Sequence, residues 1–209
     1  MSITIFIIIA TVLASLSAFN NASIRDRAIF YPYGIQRRNE FFRFITSGFI
    51  HADWFHLLIN MYVLYSFGEL LEKYFLPAFF PNSARLVFLC IYFLGMIIAD
   101  VPSYIKHRND PTYRALGASG AVSAIVFACI LFVPWPEDGG IQLFFIPIDI
   151  PPVIFGVLYL IYSAYMGRRG QDNIGHDAHF YGAVFGFIFP IILQPSLFTY
   201  FIDQIQERL

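Results

Sequence analysis

A serine set between two glycines opens one long apolar run of this chain, and a histidine opens another. Gly117-Ala118-Ser119-Gly120 stands where a polar loop gives way to apolar sequence, and Ala178-His179-Phe180-Tyr181-Gly182 stands at a second such junction. Ionisable side chains are expensive inside a bilayer, so their presence there points to function. A hydroxyl and an imidazole entering at similar depth are the parts of an activated nucleophile, with His179 as the base for the Ser119 proton. His56 and Asn60 are four residues apart, on one helical face, and offer side-chain donors to an oxyanion. The Ser119 backbone amide, in the unpaired first turn of a helix, offers a third. Gly182 and Gly186 follow His179 by three and seven residues and clear one helix face, while Gly120, Ser123 and Ala124 form a matching small face. Small faces of this kind let membrane helices pack backbone to backbone, which would bring Ser119 to His179.

Other polar residues fit the chemistry less well. Asp177 lies two residues from His179, on the wrong helix face, and Asp172 lies in the preceding loop, so a Ser/His dyad is a simpler reading than a triad. His176, Asp177 and His179 invite comparison with a metal cluster. The H-E-x-x-H pattern is absent, however, and no cysteine lies near, so no metal is expected. His51 is placed to anchor the loop before the second apolar run, and His107, among Lys106, Arg108 and Asp110, reads as solvated.

Stepping outward, the 209 residues are 58% hydrophobic and only 13% charged. Soluble domains carry about 25% charged residues, so the composition describes one membrane domain over residues 1–209. A net charge of −1 excludes a basic nucleic-acid surface. Cys90 and Cys129 both fall inside apolar runs and read as free thiols. A bilayer core of ~30 Å needs about 20 helical residues, and six stretches approach that length: Ile3–Phe19, Trp54–Leu71, Leu86–Val101, Gly117–Val133, Pro152–Met166 and His176–Leu193. The first has no basic residues before it and is read as a retained span, not a cleaved signal. Residues 20–53 form a long first loop, partly apolar, that suits the membrane interface and is of a length often tied to function. Alternate spans run in the same direction, so spans two, four and six begin at one face. His56, Ser119 and His179 then share one layer within a helical turn, and Asn60 lies one turn deeper.

With these residues on the page, the chain resembles the rhomboid family of intramembrane serine proteases. Glu40-Phe41-Phe42-Arg43 looks like the family's first-loop signature, with Phe42 where Trp is usual. His56-Leu57-Leu58-Ile59-Asn60 is similar to its H-x-x-x-N pattern, Gly117-Ala118-Ser119-Gly120 to its G-x-S-G motif, and Ala178-His179 with Gly182 and Gly186 to its A-H-x-x-G-x-x-x-G motif. The resemblance implies an all-α, six-helix polytopic bundle with a water-accessible cavity. It implies Ser119 as nucleophile, His179 as base, and His56, Asn60 and the Ser119 amide as oxyanion binders, with Gly117, Gly120, Gly182, Gly186, Arg43 and Glu40 as motif residues. It further implies no metal, cofactor or nucleotide, and substrates that are single-span membrane proteins in the lipid bilayer. In some relatives an aromatic residue four positions after the nucleophile stacks on the histidine; here that position is Ser123.

The resemblance implies a cell (inner) membrane protein whose active site faces the extracytoplasmic side. Ten lysines and arginines fall on the active-site side and three on the other, which by the positive-inside rule argues the reverse; the family orientation is adopted here. Two other readings compete. One is an inactive relative that binds or escorts membrane helices, but this chain keeps both serine and histidine. The other is a small transporter, for which charged residues near the midplane and a repeated half would be expected; neither is read here.

Overall fold

A computed structural model describes residues 1–208 apart from 138, 144–145 and 170–174. The chain runs α1 (Ile3–Asn20), α2 (Ala22–Ala28), α3 (Pro32–Arg38), α4 (Arg43–Thr46), α5 (Trp54–Leu70), α6 (Leu76–Phe79), α7 (Ala84–His107), α8 (Ser119–Phe132), β1 (Ile141–Leu143), β2 (Ile146–Ile150), α9 (Pro152–Arg169), α10 (His176–Leu193) and α11 (Ser196–Gln206). The fold is an all-α membrane bundle, in which α1, α5, α7, α8, α9 and α10 overlap the six expected stretches, with α7 running on to His107. Three of them, α1, α7 and α10, are each long and apolar enough to cross a bilayer.

The burial pattern is that of a membrane protein turned against itself. On α1 the buried stripe includes Thr4, Thr11 and Ser15, each fully covered, while Phe6, Ile9 and Leu13 face outward. A water-soluble helix would reverse this, because exposed large apolar side chains would forfeit the hydrophobic gain. The start of α1 is capped from a distance: the Glu72 carboxylate accepts the Ile3 and Thr4 amides at 2.7 and 2.8 Å. An anion there satisfies orphan amides and meets the positive end of the helix dipole.

At the centre stands α8, whose residues from Gly120 to Phe132 are all buried. It has 14 residues, about 21 Å at ~1.5 Å per residue, shorter than a ~30 Å hydrocarbon core. Ser119 is its first residue. The span expected from Gly117 therefore starts two residues later than read from hydropathy. Gly117 lies outside the helix with φ +117°, a conformation that glycine alone adopts cheaply.

The first loop is folded. Three short helices and a turn enclose a small core of Phe30, Ile35 and Phe44 packed against α7 residues Ile97, Val101 and Tyr104. Arg43 is 5% exposed; its Nε donates to Glu40 at 2.6 Å, and Nη1 donates to the carbonyls of Asp26 and Ile29 at 3.0 and 2.8 Å. A buried guanidinium is tolerable only when its donors are matched in this way.

Three features were not read from the sequence. The antiparallel β1–β2 hairpin between α8 and α9 contains the only strands among the described residues. Helix α11 buries Leu197 and Phe201 against the bundle. A π-turn at Leu71–Phe75 joins α5 to α6. Cys90 and Cys129 are free thiols.

The tightest helix contact is between α8 and α10. A Cβ built on Gly182 would overlap the Gly120 carbonyl oxygen, and one on Gly186 would overlap that of Ala124. The obstacle is backbone, which cannot swing away. Gly182→Val is therefore expected to destabilise the fold by about 1–3 kcal/mol or more, read as a lower melting temperature in detergent. Gly175→Ala, whose new Cβ meets only the Ala178 Cβ at 3.7 Å, serves as the neutral control. A Gly182→Val protein as stable as the control would show that the two helices are not apposed there.

Candidate active site

The backbone leading into Ser119 is held at three points by the first loop. Phe30 and Ala115 exchange two hydrogen bonds at 2.9 and 3.1 Å, and the Gly117 amide donates to the Ser47 carbonyl at 3.0 Å. The Ala118 amide then donates to His51 Nε2 at 3.4 Å. Gly117 is compressed from its other side by His56: an added Cβ would sit 2.6 Å from that ring's Cε1. Glycine is thus required here by its dihedral angle and by the lack of room. The sharp turn delivers Ser119 to the N-terminus of α8, where no side chain caps the helix and first-turn amides are free to face a negative charge.

His51 does more than anchor a loop. It is 1% exposed. Since Nε2 accepts from Ala118, the proton lies on Nδ1, which donates to Ser15 Oγ at 3.0 Å, and Ser15 in turn donates to the Phe49 carbonyl at 3.1 Å. This chain of bonds assigns the tautomer. A second ring proton would put two donors face to face at Ala118. Burial, reinforced by the nearby His56 and opposed by Asp53, pushes the His51 pKa down to about 3.

His56 is the third residue of α5, whose first turn is capped by Asp53: the His56 amide donates to the Asp53 carboxylate at 2.8 Å. Asn60 lies one turn on and is buried, and its Nδ2 donates to the His56 carbonyl at 2.9 Å. That bond uses one of two amide hydrogens and leaves the other for the cavity.

One cavity of about 850 Å³ is lined by Ser119, His179, His56, Asn60 and Gly117 together. Ser119 and His179 reach it from α8 and α10 at the level of the glycine contact. The Ala178 carbonyl lies 3.5 Å from where a Gly120 Cβ would be, so the residues flanking the serine and the histidine are neighbours. The sequence therefore named side chains that do converge on one space. Gly182 and Gly186 make the helix contact beneath it, and Arg43 and Glu40 brace the first loop to one side.

What the sequence missed is the partner of the His179 ring. Tyr159, from α9, lies parallel to it within 25° at a centroid distance of 6.2 Å, and its hydroxyl hydrogen-bonds Ser123 Oγ at 2.6 Å. Ser123, the position that is aromatic in some relatives, thus holds a tyrosine from another helix. His176 packs edge-on to His179 at 5.8 Å. Asp177 lies 3.7 Å from Lys106 and against Gly167. Asp172 and the rest of residues 170–174 lie outside the described residues. The sequence reading also passed over Asp100, an acid within α7 that lines the same cavity.

Comparisons with known proteins come to the same fold. A family model described as "Rhomboid domain" matches residues 38–196. The chain is 32% identical to "RHOMBOID-like protein 12, mitochondrial" of Arabidopsis thaliana, over 66% of this chain and 42% of that protein. It is 28% identical to "Presenilin-associated rhomboid-like protein A, mitochondrial" of Danio rerio, over 68% and 35%. With "Putative rhomboid protease YdcA" of Bacillus subtilis it shares 29% identity over 83% and 77%. The chain thus spans less than half the length of the first two relatives.

His51 carries a prediction with a definite sign. In the unfolded chain it binds a proton near its ordinary pKa of 6.5, and in the folded protein only near 3. Its contribution is complete above pH 6.5 and is lost as pH falls, by ~1.4 kcal/mol per pH unit within that window. Melting temperatures measured between pH 7.5 and 4.5 should drop steeply for wild type and less steeply for His51→Gln. Equal slopes would remove the assignment.

Proposed function

This chain belongs to the rhomboid family, and from that premise and the site geometry we propose that it is an intramembrane serine endopeptidase acting through a Ser119/His179 dyad. The observation that carries the proposal is the α8–α10 contact, which sets a helix-terminal serine and a histidine beside one cavity. His179 takes the Ser119 proton as Oγ attacks the substrate carbonyl, then gives it to the leaving amine. The Ser119 amide, the His56 ring and the remaining Asn60 hydrogen supply donors for the oxyanion, each typically worth about 10²–10³ in rate. Water resolves the acyl-enzyme by the same base.

Substrates on this reading are single-span membrane proteins. A helix conceals its own peptide bonds, so the segment entering the cavity must unwind, and weak helix formers near the cut favour this. The active-site face is assigned to the extracytoplasmic side of a cell membrane. The charge count against this orientation is softened because Arg43 and Arg38 on that face are tied to Glu40 and Arg114 lies on the Tyr31 ring. These are parts of a folded layer, whereas the positive-inside rule describes short, free loops.

Ser119→Ala and His179→Ala should each abolish fluorophosphonate labelling and cleavage of a reconstituted single-span substrate, with the Ser119→Ala melting temperature nearly unchanged. A wild-type protein that never labels would favour the binding or escort reading, and undiminished cleavage by Ser119→Ala would eliminate the nucleophile. Tyr159 is assigned as a positioning residue for His179. Tyr159→Leu should lower kcat by about 10–100-fold, the scale of a small misplacement of a catalytic group, with KM little changed. Tyr159→Phe, which keeps the ring and loses the Ser123 bond, should fall between. A Tyr159→Leu enzyme with wild-type kcat would leave the ring orientation to other contacts.

A further inference from the structure

We propose that Asp100 forms a subsite that accepts a lysine or arginine side chain of the substrate close to the scissile bond. The inference rests on the protease reading above and names a substrate class for the same site. Asp100 lies on α7, seven residues before the helix ends. The preceding residue, Ala99, is pressed against Gly120: its Cβ lies 2.6 Å from where a glycine Cβ would be. Asp100 follows Ala99 on α7 and lines the cavity shared by Ser119 and His179.

The other acids of the bundle and first loop are matched. Glu72 holds the first amides of α1, Glu40 holds Arg43, Asp177 faces Lys106, and Asp53 caps α5. Among the described residues Asp100 alone of these lacks a hydrogen-bond or salt-bridge partner. Asp100 is partly exposed on the cavity wall, where an acid without a partner can take up a counter-charge.

Charge around the cavity selects the guest. Among the described lining residues there are two carboxylates, Asp53 and Asp100, and no lysine or arginine. Asp53 is already committed to the α5 amide, which leaves the α7 wall with an unbalanced acceptor. Main-chain amides of any peptide could donate to it without discrimination; a guanidinium or ammonium gives the charge a specific use. Basic residues are concentrated near the ends of membrane spans. A segment offering one to Asp100 would be cut near the end of its span, in keeping with a serine that begins a short helix.

The test uses the full-length protein in proteoliposomes and one single-span substrate. Each position flanking the cleavage site carries Lys, Arg, Gln or Glu in turn. At one position Lys or Arg should raise kcat/KM at least roughly tenfold over Gln, the scale of one charged hydrogen bond, with Glu worst. In Asp100→Asn, an isosteric change whose folding is checked by its melting temperature, the Lys-to-Gln ratio should collapse to within about twofold. A wild-type enzyme without such a position, or a ratio that survives Asp100→Asn, overturns the proposal. Binding of the Lys and Gln segments to Ser119→Ala and to Ser119→Ala/Asp100→Asn, by fluorescence anisotropy, reads the same preference without turnover. A preference there that depends on Asp100 upholds the subsite even if no cleavage is seen, while its absence overturns the subsite. Fluorophosphonate labelling of wild type reports on the serine separately, so a failed protease reading and a failed subsite give different results.

Discussion

The structure depends on two helix backbones in contact. Where α10 presents Gly182 and Gly186, the carbonyls of Gly120 and Ala124 on α8 occupy the space that side chains would fill. In lipid there is little hydrophobic drive to bring helices together, so close van der Waals packing has to supply it. The same contact fixes Ser119 and His179 relative to one another, because each lies within a turn of it. Helix α7 completes the arrangement by pressing Ala99 and Gly95 against Gly120 and Ala124. A buried central helix with small residues on several faces is what lets three neighbours converge on one end of it.

The second constraint is polar and lies in the first loop. Arg43, buried with Glu40 and two carbonyls, locks short helices that would be unstable alone. From that platform Ser47, Phe30 and His51 take up the backbone groups at Ala115, Gly117 and Ala118. The segment before the serine is not free to relax, and its positive-φ glycine is held in place. The position of Ser119 is thereby set by a loop that carries none of the nominated reacting groups. The neutrality of His51 is part of the device, because only an unprotonated Nε2 can accept the Ala118 amide.

The His179 ring is contacted from a third direction. Tyr159 belongs to α9, so the orientation of His179 depends on where α9 sits, and the Ser123 hydroxyl records that position through one short hydrogen bond. A chain with an aromatic on α8 itself would couple the ring to the nucleophile's helix only. Here a serine replaces that bulk and a neighbouring helix returns it, an exchange that preserves volume and ring contact while linking a further element to the site.

The sequence by itself pointed to an all-α membrane bundle, because a ~30 Å apolar slab admits little but apolar helices, while helix ends such as that of α7, six residues past the expected one, were left to packing. It also exposed Ser119, His179, His56, Asn60 and the paired glycines, since polar and small residues are conspicuous against an apolar background. The folded first loop, the hairpin and α11 escaped because their stability comes from packing on other elements and not from their own periodicity. Only the tertiary structure decided what steadies His179, what holds the serine turn and which acid faces the cavity. Tyr159 is 36 residues from Ser123, and His51 is 67 from Ala118. Asp100 reaches the site through a helix read simply as a span. Contacts at such separations are selected by how helices pack and rotate against one another, and local sequence patterns do not encode that rotation.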